Sequence, residues 1–134
     1  MKRFFIFLII TSAVSFTLIR CKLEESYLKQ TVNLNLTGWD LPDTADVSVP
    51  FNLIVSSSTE NSCYGKIDFK LETINGKEYV YASSNYLETG SGCSILTTYK
   101  DSIVNLTINQ AGEHYYYFLK ENKWNKDSIE IVND

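Results

Sequence analysis

The chain has 134 residues, of which 44% are apolar, and it carries 12 basic and 16 acidic residues, a net charge of −4. This length corresponds to one domain with a single modest core. The acidic excess argues against a surface that binds nucleic acid or another polyanion.

An export leader is predicted at the N-terminus, over residues 1–20. Lys2 and Arg3 form a short basic start, and a run of apolar and small residues follows, which is the layout of a secretory signal. The last four residues of this region, LIRC, end at Cys21 and resemble the lipobox of bacterial lipoproteins, in which a peptidase cuts before a lipid-bearing cysteine. Arg20 departs from the small residue which that family has before the cysteine. The resemblance implies an exported lipoprotein of the outer membrane or cell surface, attached to the membrane through Cys21.

Two other interpretations of the leader remain open. A signal peptidase can cut after Ser15, because Ala13 and Ser15 supply the small residues it requires. A retained anchor is the third interpretation, although the apolar stretch is sixteen residues long where a spanning helix needs roughly 20. Cleavage before Cys21 leaves nine basic residues against sixteen acidic ones, a net charge of −7. Residues 21–30 are then predicted to be the lipidated cysteine and its tether, and residues 31–134 a single β-sandwich domain.

The chain has three cysteines, and an odd thiol in an exported protein requires an explanation. If Cys21 carries lipid, Cys63 and Cys93 remain as one pair in an oxidising compartment, where a disulfide is the default. We therefore predict a disulfide between them, which closes a loop of about thirty residues and stabilises the fold by roughly 3 to 4 kcal/mol. The chain has one histidine and no zinc-type spacing, so neither a metal site nor another cofactor is expected.

Apolar residues recur at every second position from Thr31 onward, and this period predicts β-strands rather than helices. The clearest stripes run from Val32 to Leu36, from Val47 to Val55 and from Cys63 to Leu71. Pro50 indicates that the second stripe is either an edge strand or two strands that meet at a break. Further strands are predicted at residues 94–99, 103–108, 113–120 and 128–132.

The Asn75-Gly76 dipeptide predicts a tight hairpin, because both central residues of such a turn need a positive φ. A two-residue turn pairs Ile74 with Lys77 and therefore places Leu71 opposite Val80 and Phe69 opposite Ala82. Both of the latter pairs are apolar, so the turn and the alternation agree on one register. The same register sends Tyr79 and Tyr81 to the outer face of the sheet.

The segment from Asn109 to Phe118, NQAGEHYYYF, resembles the penultimate strand of immunoglobulin-like domains, where a glycine at the turn precedes an aromatic-rich strand. Together with the number of predicted strands, it implies an all-β fold, an antiparallel immunoglobulin-like sandwich of seven or eight strands. A small β-barrel is the alternative.

No catalytic motif is present, and no catalytic residue is predicted. His114 is the only histidine, and the sequence has no GxSxG elbow, P-loop, dinucleotide fingerprint or HExxH motif. Asp40, Asp43 and Asp46 offer oxygen ligands of the kind calcium prefers, but they lack the spacing of an EF-hand and are interpreted as a solvated acidic turn. We therefore expect a protein that is not an enzyme.

Two features are candidates for partner recognition. The loop from Glu88 to Leu96 loses less entropy when a partner immobilises it, because the disulfide at Cys93 already restrains it. The tyrosines of the hairpin offer large contact areas at low entropic cost. The alternatives are a plain connecting loop and tyrosines that merely pack across strands against Trp124. The candidate partner-binding residues are Thr89, Ser91, Ser94, Ile95, Leu96, Tyr79 and Tyr81.

A lipid tether followed by a compact all-β domain is similar in plan to the potempin-type proteinase inhibitors, and this similarity implies a proteinase as partner. We predict a lipid-anchored, exported, non-catalytic module that binds a protein, with proteinase inhibition as its sharpest form. The alternative is a carbohydrate-binding module that uses exposed tyrosine and tryptophan side chains, with calcium at the acidic turn. Nucleic acid is not an expected partner.

Overall fold

The computed structural model describes residues 28–88 and 92–133, so the predicted leader, Cys21 and most of the predicted tether lie outside the described residues. The described residues form nine β-strands and no helix. The first strand begins at Leu28, three residues before the predicted start of the domain. The strands are β1 (Leu28–Leu34), β2 (Leu36–Asp40), β3 (Thr44–Asp46), β4 (Phe51–Asn61), β5 (Asp68–Ile74), β6 (Lys77–Glu88), β7 (Ile95–Leu106), β8 (Gly112–Lys120) and β9 (Lys123–Val132).

The strands form two sheets that pack face to face. The larger sheet has six strands in the order β1-β6-β8-β9-β3, with β5 also paired to β6, and the smaller sheet has the order β2-β4-β7. At Ala82 and Ser83, β6 lies between β5 and β1, and at residues 78–80 it lies between β5 and β8. β1 and β8 therefore share one edge of β6, and the chain crosses to the smaller sheet where β1 ends.

Alternating burial along β4 shows how the sequence specifies the core. Phe51, Leu53 and Val55 are buried between the sheets, whereas Asn52 and Ile54 on the same strand are exposed. Successive side chains of a strand point to opposite faces, so each strand gives only every second residue to the core. The larger sheet contributes the buried apolar residues Val80, Ala82, Phe118, Ile129 and Ile131.

Trp39, on β2, covers the core beside β8 and β9. Its ring stacks on that of Phe118, with centroids 4.5 Å apart and planes inclined by 5°. Its indole N–H donates a hydrogen bond to Asp127 Oδ2 at 2.7 Å. The polar atom of this half-buried side chain therefore has a partner, as burial requires.

The β5–β6 hairpin has the register that Asn75-Gly76 predicts. The two residues have φ values of 52° and 73°, as a two-residue turn of this kind requires. Tyr79 and Tyr81 lie on the outer face of the larger sheet, and the Tyr81 hydroxyl donates to Glu72 Oε1 at 2.7 Å. All three predicted pairs form, namely Ile74–Lys77, Leu71–Val80 and Phe69–Ala82.

The structure decides between the two alternatives at Pro50, and it differs from the prediction for the strand that follows Cys93. Pro50 marks a break, because the turn at residues 47–50 separates β3 from β4. The segments 94–99 and 103–108, predicted as separate strands, form the single strand β7. β7 pairs with β4 over nearly the whole length of β7, and this pairing keeps Lys100–Ser102 in an extended conformation. The polar character of these three residues instead favours a loop between two strands.

The predicted all-β sandwich is confirmed, and the two sheets do not close into a barrel. The described residues form nine strands rather than seven or eight, and the sheets are not purely antiparallel. β3 pairs with β9 and β6 pairs with β8 in parallel. The alternation of apolar residues along a strand predicts which face is buried. It does not predict whether the neighbouring strand is parallel or antiparallel, because that depends on which distant segments pair.

Candidate functional site

A disulfide holds the C-terminal end of the predicted recognition loop against the end of β4. Cys63, which is buried, and Cys93 form the predicted bond, with Cα atoms 5.3 Å apart. The Ser62 N–H donates to the Ser94 carbonyl at 3.0 Å, and the Ser94 N–H donates to Ser62 Oγ at 3.0 Å. Tyr86 adds a contact of 3.6 Å from its hydroxyl to Cys93 Sγ. The chain that enters β7 is therefore fixed at several points.

Two apolar side chains follow this anchor and face solvent. The exposed fraction of the Ile95 side chain is 96% and that of Leu96 is 56%, although both belong to β7. Large apolar residues are usually buried, so this exposure is the informative feature. Ser94 is also exposed, while Thr89 and Ser91 of the predicted set lie outside the described residues.

The exposed apolar residues continue along β7. Tyr99 and Ile103, which are 74% and 65% exposed, lie on the outer face of the smaller sheet, and Ile103 pairs there with the exposed Ile54 of β4. We call Ile95, Leu96, Tyr99 and Ile103 the β7 stripe. Sequence reasoning missed Tyr99 and Ile103 because it placed them in strands without determining which face of each strand is exposed.

β7 is an edge strand of the smaller sheet. One side of β7 pairs with β4, and within the described residues no strand pairs with its other side. The register with β4 shifts by one residue between the pairs Thr59–Thr98 and Asn61–Ile95. This bulge divides β7 into a short first part, with Ile95 and Leu96, and a longer regular part from Thr98 to Leu106.

The outer face of the larger sheet carries a second apolar surface, the outer aromatic cluster. Tyr79 stacks on Tyr117 with centroids 5.3 Å apart, and Trp124 packs against Tyr79 and Tyr81 at 4.9 and 6.2 Å in edge-on geometry. Tyr115 lies two residues before Tyr117 on β8, on the same face of the sheet, and extends the cluster. The two predicted tyrosines thus pack against Trp124, in agreement with the alternative that assigned them to packing across strands.

Charged side chains cover several rings of the outer aromatic cluster. Lys77 Nζ lies 5.5 Å from the centre of the Tyr117 ring, and Lys126 Nζ lies 3.4 Å from that of Tyr115. The Tyr115 hydroxyl donates to Glu113, which raises the pKa of Tyr115 and lowers the pKa of the Glu113 carboxyl. The faces of the Tyr115 and Tyr117 rings therefore already contact lysine side chains, and fewer aromatic faces remain free to contact a partner.

The structure separates the two predicted recognition features. Ile95 and Leu96 belong to the smaller sheet, whereas Tyr79 and Tyr81 lie on the outer face of the larger one. The two surfaces therefore face away from each other across the sandwich. A single partner that contacts both would have to wrap around the domain.

The remaining polar candidates do not assemble a reactive centre. His114 Nε2 lies 2.9 Å from the Gln110 carbonyl oxygen, beside an open cleft of about 470 Å³ that Leu71, Leu106 and Glu113 help to line. Among the described residues, no three His, Cys, Asp or Glu side chains are close enough to share a metal ion. The predicted acidic turn therefore does not gather its carboxylates into a calcium site.

Comparison with known protein families, with characterised proteins and with solved structures finds no match for this chain. The described residues also contain no helix that is long and apolar enough to cross a membrane.

Proposed function

We propose that this chain is an exported, lipid-anchored, non-catalytic module that binds a protein partner through the start of β7. The observation that carries the proposal is the exposure of Ile95 and Leu96 directly after the Cys63–Cys93 disulfide. A pair of solvent-facing apolar side chains has a free-energy gain available only when another molecule covers it.

The disulfide favours a protein partner because it prepares the surface for binding. Restraint of a loop before association lowers the entropy that binding costs, and the hydrogen bonds between Ser62 and Ser94 extend this restraint into β7. A proteinase is the sharpest case, since an inhibitor must present a rigid, exposed segment to a cleft. Ser94, Ile95 and Leu96 follow Cys93 directly and are exposed, so they offer such a segment.

Replacing Ile95 and Leu96 together with aspartate tests the proposal. We expect binding of the partner to weaken by about 2 kcal/mol or more, roughly 30-fold in Kd, because exposed apolar anchors dominate interfaces of this kind. The melting temperature should change little, since neither side chain lies in the core. The measurement is capture of extracellular proteins by the immobilised chain, together with inhibition assays on purified serine, cysteine and metalloproteinases.

The matched control is Ile74→Asp, which makes the same change at an exposed apolar residue at the end of β5. This variant should bind as the unsubstituted chain does. Equal binding by the Ile95→Asp, Leu96→Asp variant, with the fold intact, would contradict the proposed surface.

Carbohydrate binding is the second candidate, and the outer aromatic cluster is the observation that favours it. Tyrosine and tryptophan rings stack on sugar rings, and Trp124 is exposed. The lysines above Tyr115 and Tyr117 compete with such stacking, and this makes the cluster the weaker candidate. Retention on a polysaccharide that Trp124→Ala abolishes and Ile95→Asp leaves unchanged would favour it.

Attachment to the outer membrane or cell surface through Cys21 completes the proposal, and its support is the leader and the odd cysteine count. Mass spectrometry of the full chain from the membrane fraction should find an N-terminal acylated Cys21. A mature chain that begins at Phe16 and carries an unmodified Cys21 thiol would instead identify an ordinary secreted protein.

A further inference from the structure

We propose that the regular part of β7 pairs with the same strand of a second copy of this chain, antiparallel, about a two-fold axis at Ile103. The inference goes beyond the proposed function, because it uses Lys100–Leu106 and leaves Ile95 and Leu96 on the far side of the bulge. The product is a dimer in which two three-stranded sheets join into one of six strands.

The first argument is the free edge itself. β7 is 12 residues long and lies at the edge of its sheet, and within the described residues its outward N–H and C=O groups have no strand partner. Exposed edges of this length are templates for pairing with another chain. The other edge of the smaller sheet is less suited, because β2 has five residues and a register shift of its own.

The second argument is the apolar row that this axis creates. Ile103 pairs with Ile54 on the outer face of the smaller sheet, and both side chains are exposed. With Ile103 on the axis, the row becomes Ile54–Ile103 of one copy followed by Ile103–Ile54 of the other. Apolar pairs directly across strands are the unit of sheet stabilisation.

The third argument is charge, which disfavours the registers centred on Lys100 and Asp101. The cores of both copies lie on the same side of the joined sheet only when a residue, rather than a peptide bond, lies on the axis. An axis at Lys100 or Asp101 places like charges opposite each other, and an axis at Ser102 places Asp101 opposite Ile103. An axis at Ile103 instead places Lys100 opposite Leu106 and Asp101 opposite Asn105. A self-complementary strand of this kind fits an isologous dimer.

Cysteine cross-linking of the full chain in membranes tests the register. In Ile103→Cys the two introduced cysteines face each other across the axis, with Cα atoms about 4.5 to 5.5 Å apart, a range that a disulfide spans. Mild oxidation should therefore convert most of the chain to a covalent dimer. In the matched control Asp101→Cys, the two cysteines are separated by about four residues of strand, roughly 13 Å, and should not cross-link.

A mixing experiment makes the test specific. Asp101→Cys and Asn105→Cys chains should each stay uncrosslinked alone and form a disulfide when they are co-expressed, because these positions lie opposite each other. Ile103→Lys should raise the dimer Kd by about tenfold or more, because it places two cations on the axis. Thr97→Lys, at the bulge, should leave the Kd unchanged.

Several outcomes would overturn the dimer. One is equal cross-linking of Ile103→Cys and Asp101→Cys, because this would indicate random collision. Another is a chain that stays monomeric at high concentration in detergent. A monomer whose regular part of β7 is protected by a foreign protein would assign the edge to that protein instead. Ile103→Lys separates this inference from the proposed function, because it should disrupt the dimer and preserve binding through Ile95 and Leu96.

Discussion

Replacing Phe118 with alanine is expected to lower the free energy of unfolding by about 3 to 5 kcal/mol, the range for aromatic residues in a core. Phe118 is fully buried, stacks on Trp39 and lies between the two sheets. Movement of Trp39 into the cavity left by the ring would disturb its hydrogen bond to Asp127. A domain of this size is stable by only about 5 to 15 kcal/mol, so the loss is a large fraction of the total.

Denaturant unfolding monitored by tryptophan fluorescence measures this loss, since Trp39 reports on the same contact. Two control variants are expected to lower the free energy of unfolding by less. Phe118→Leu keeps most of the apolar volume and should cost less, and Tyr115→Ala removes an exposed ring and should change stability by about 0.5 kcal/mol or less. Equal effects of Phe118→Ala and Tyr115→Ala would be incompatible with a core centred on Phe118.

Loss of the disulfide is expected to destabilise the domain by about 3 to 4 kcal/mol. Cys63 and Cys93 are separated by 30 residues, and closing a loop of this length restricts the unfolded chain by that amount in the chain-entropy model. The reduced protein should also lose the restraint on Ile95 and Leu96, because Cys93 precedes β7 directly. Partner binding should therefore weaken on reduction even where the domain remains folded.

Reduction of the unsubstituted chain and the double variant Cys63→Ser, Cys93→Ser should give similar unfolding midpoints in denaturant. Cys21→Ser is the matched control for a cysteine change outside the bridge, and it should unfold as the unsubstituted chain does. An unchanged midpoint after confirmed reduction would show that hydrogen bonds such as those between Ser62 and Ser94 hold this end of the sandwich without the bond.

The candidate surface was only partly predictable. The sequence predicts the end of the loop at Cys93 and singles out Ile95 and Leu96, but it leaves open whether these residues are core or surface. The structure places both in a strand and in solvent. Tyr99 and Ile103 were not singled out, because a half-buried strand and an exposed edge strand have the same alternation of apolar residues.

The outer aromatic cluster shows the same division. Hairpin register fixes the outward direction of Tyr79 and Tyr81 from local sequence alone, since the turn leaves a single alignment. Their contact with Trp124 depends on the parallel pairing of β6 with β8 and on the β8–β9 hairpin. No local signal couples residues so far apart in the chain.

The sequence by itself determined the all-β class, the faces of β4, the Asn75-Gly76 hairpin and the Cys63–Cys93 pair, because each follows from local stereochemistry or from the cysteine count. Only the tertiary structure decided the parallel pairs, the merging of two predicted segments into β7 and the position of β7 at an edge. These features depend on which strands pair across long distances in the sequence. The free energy that favours one pairing over another comes from packing throughout the sandwich and not from any local segment. Tyr99 and Ile103 are exposed because they lie on the outer face of the smaller sheet, as Ile54 of β4 also does.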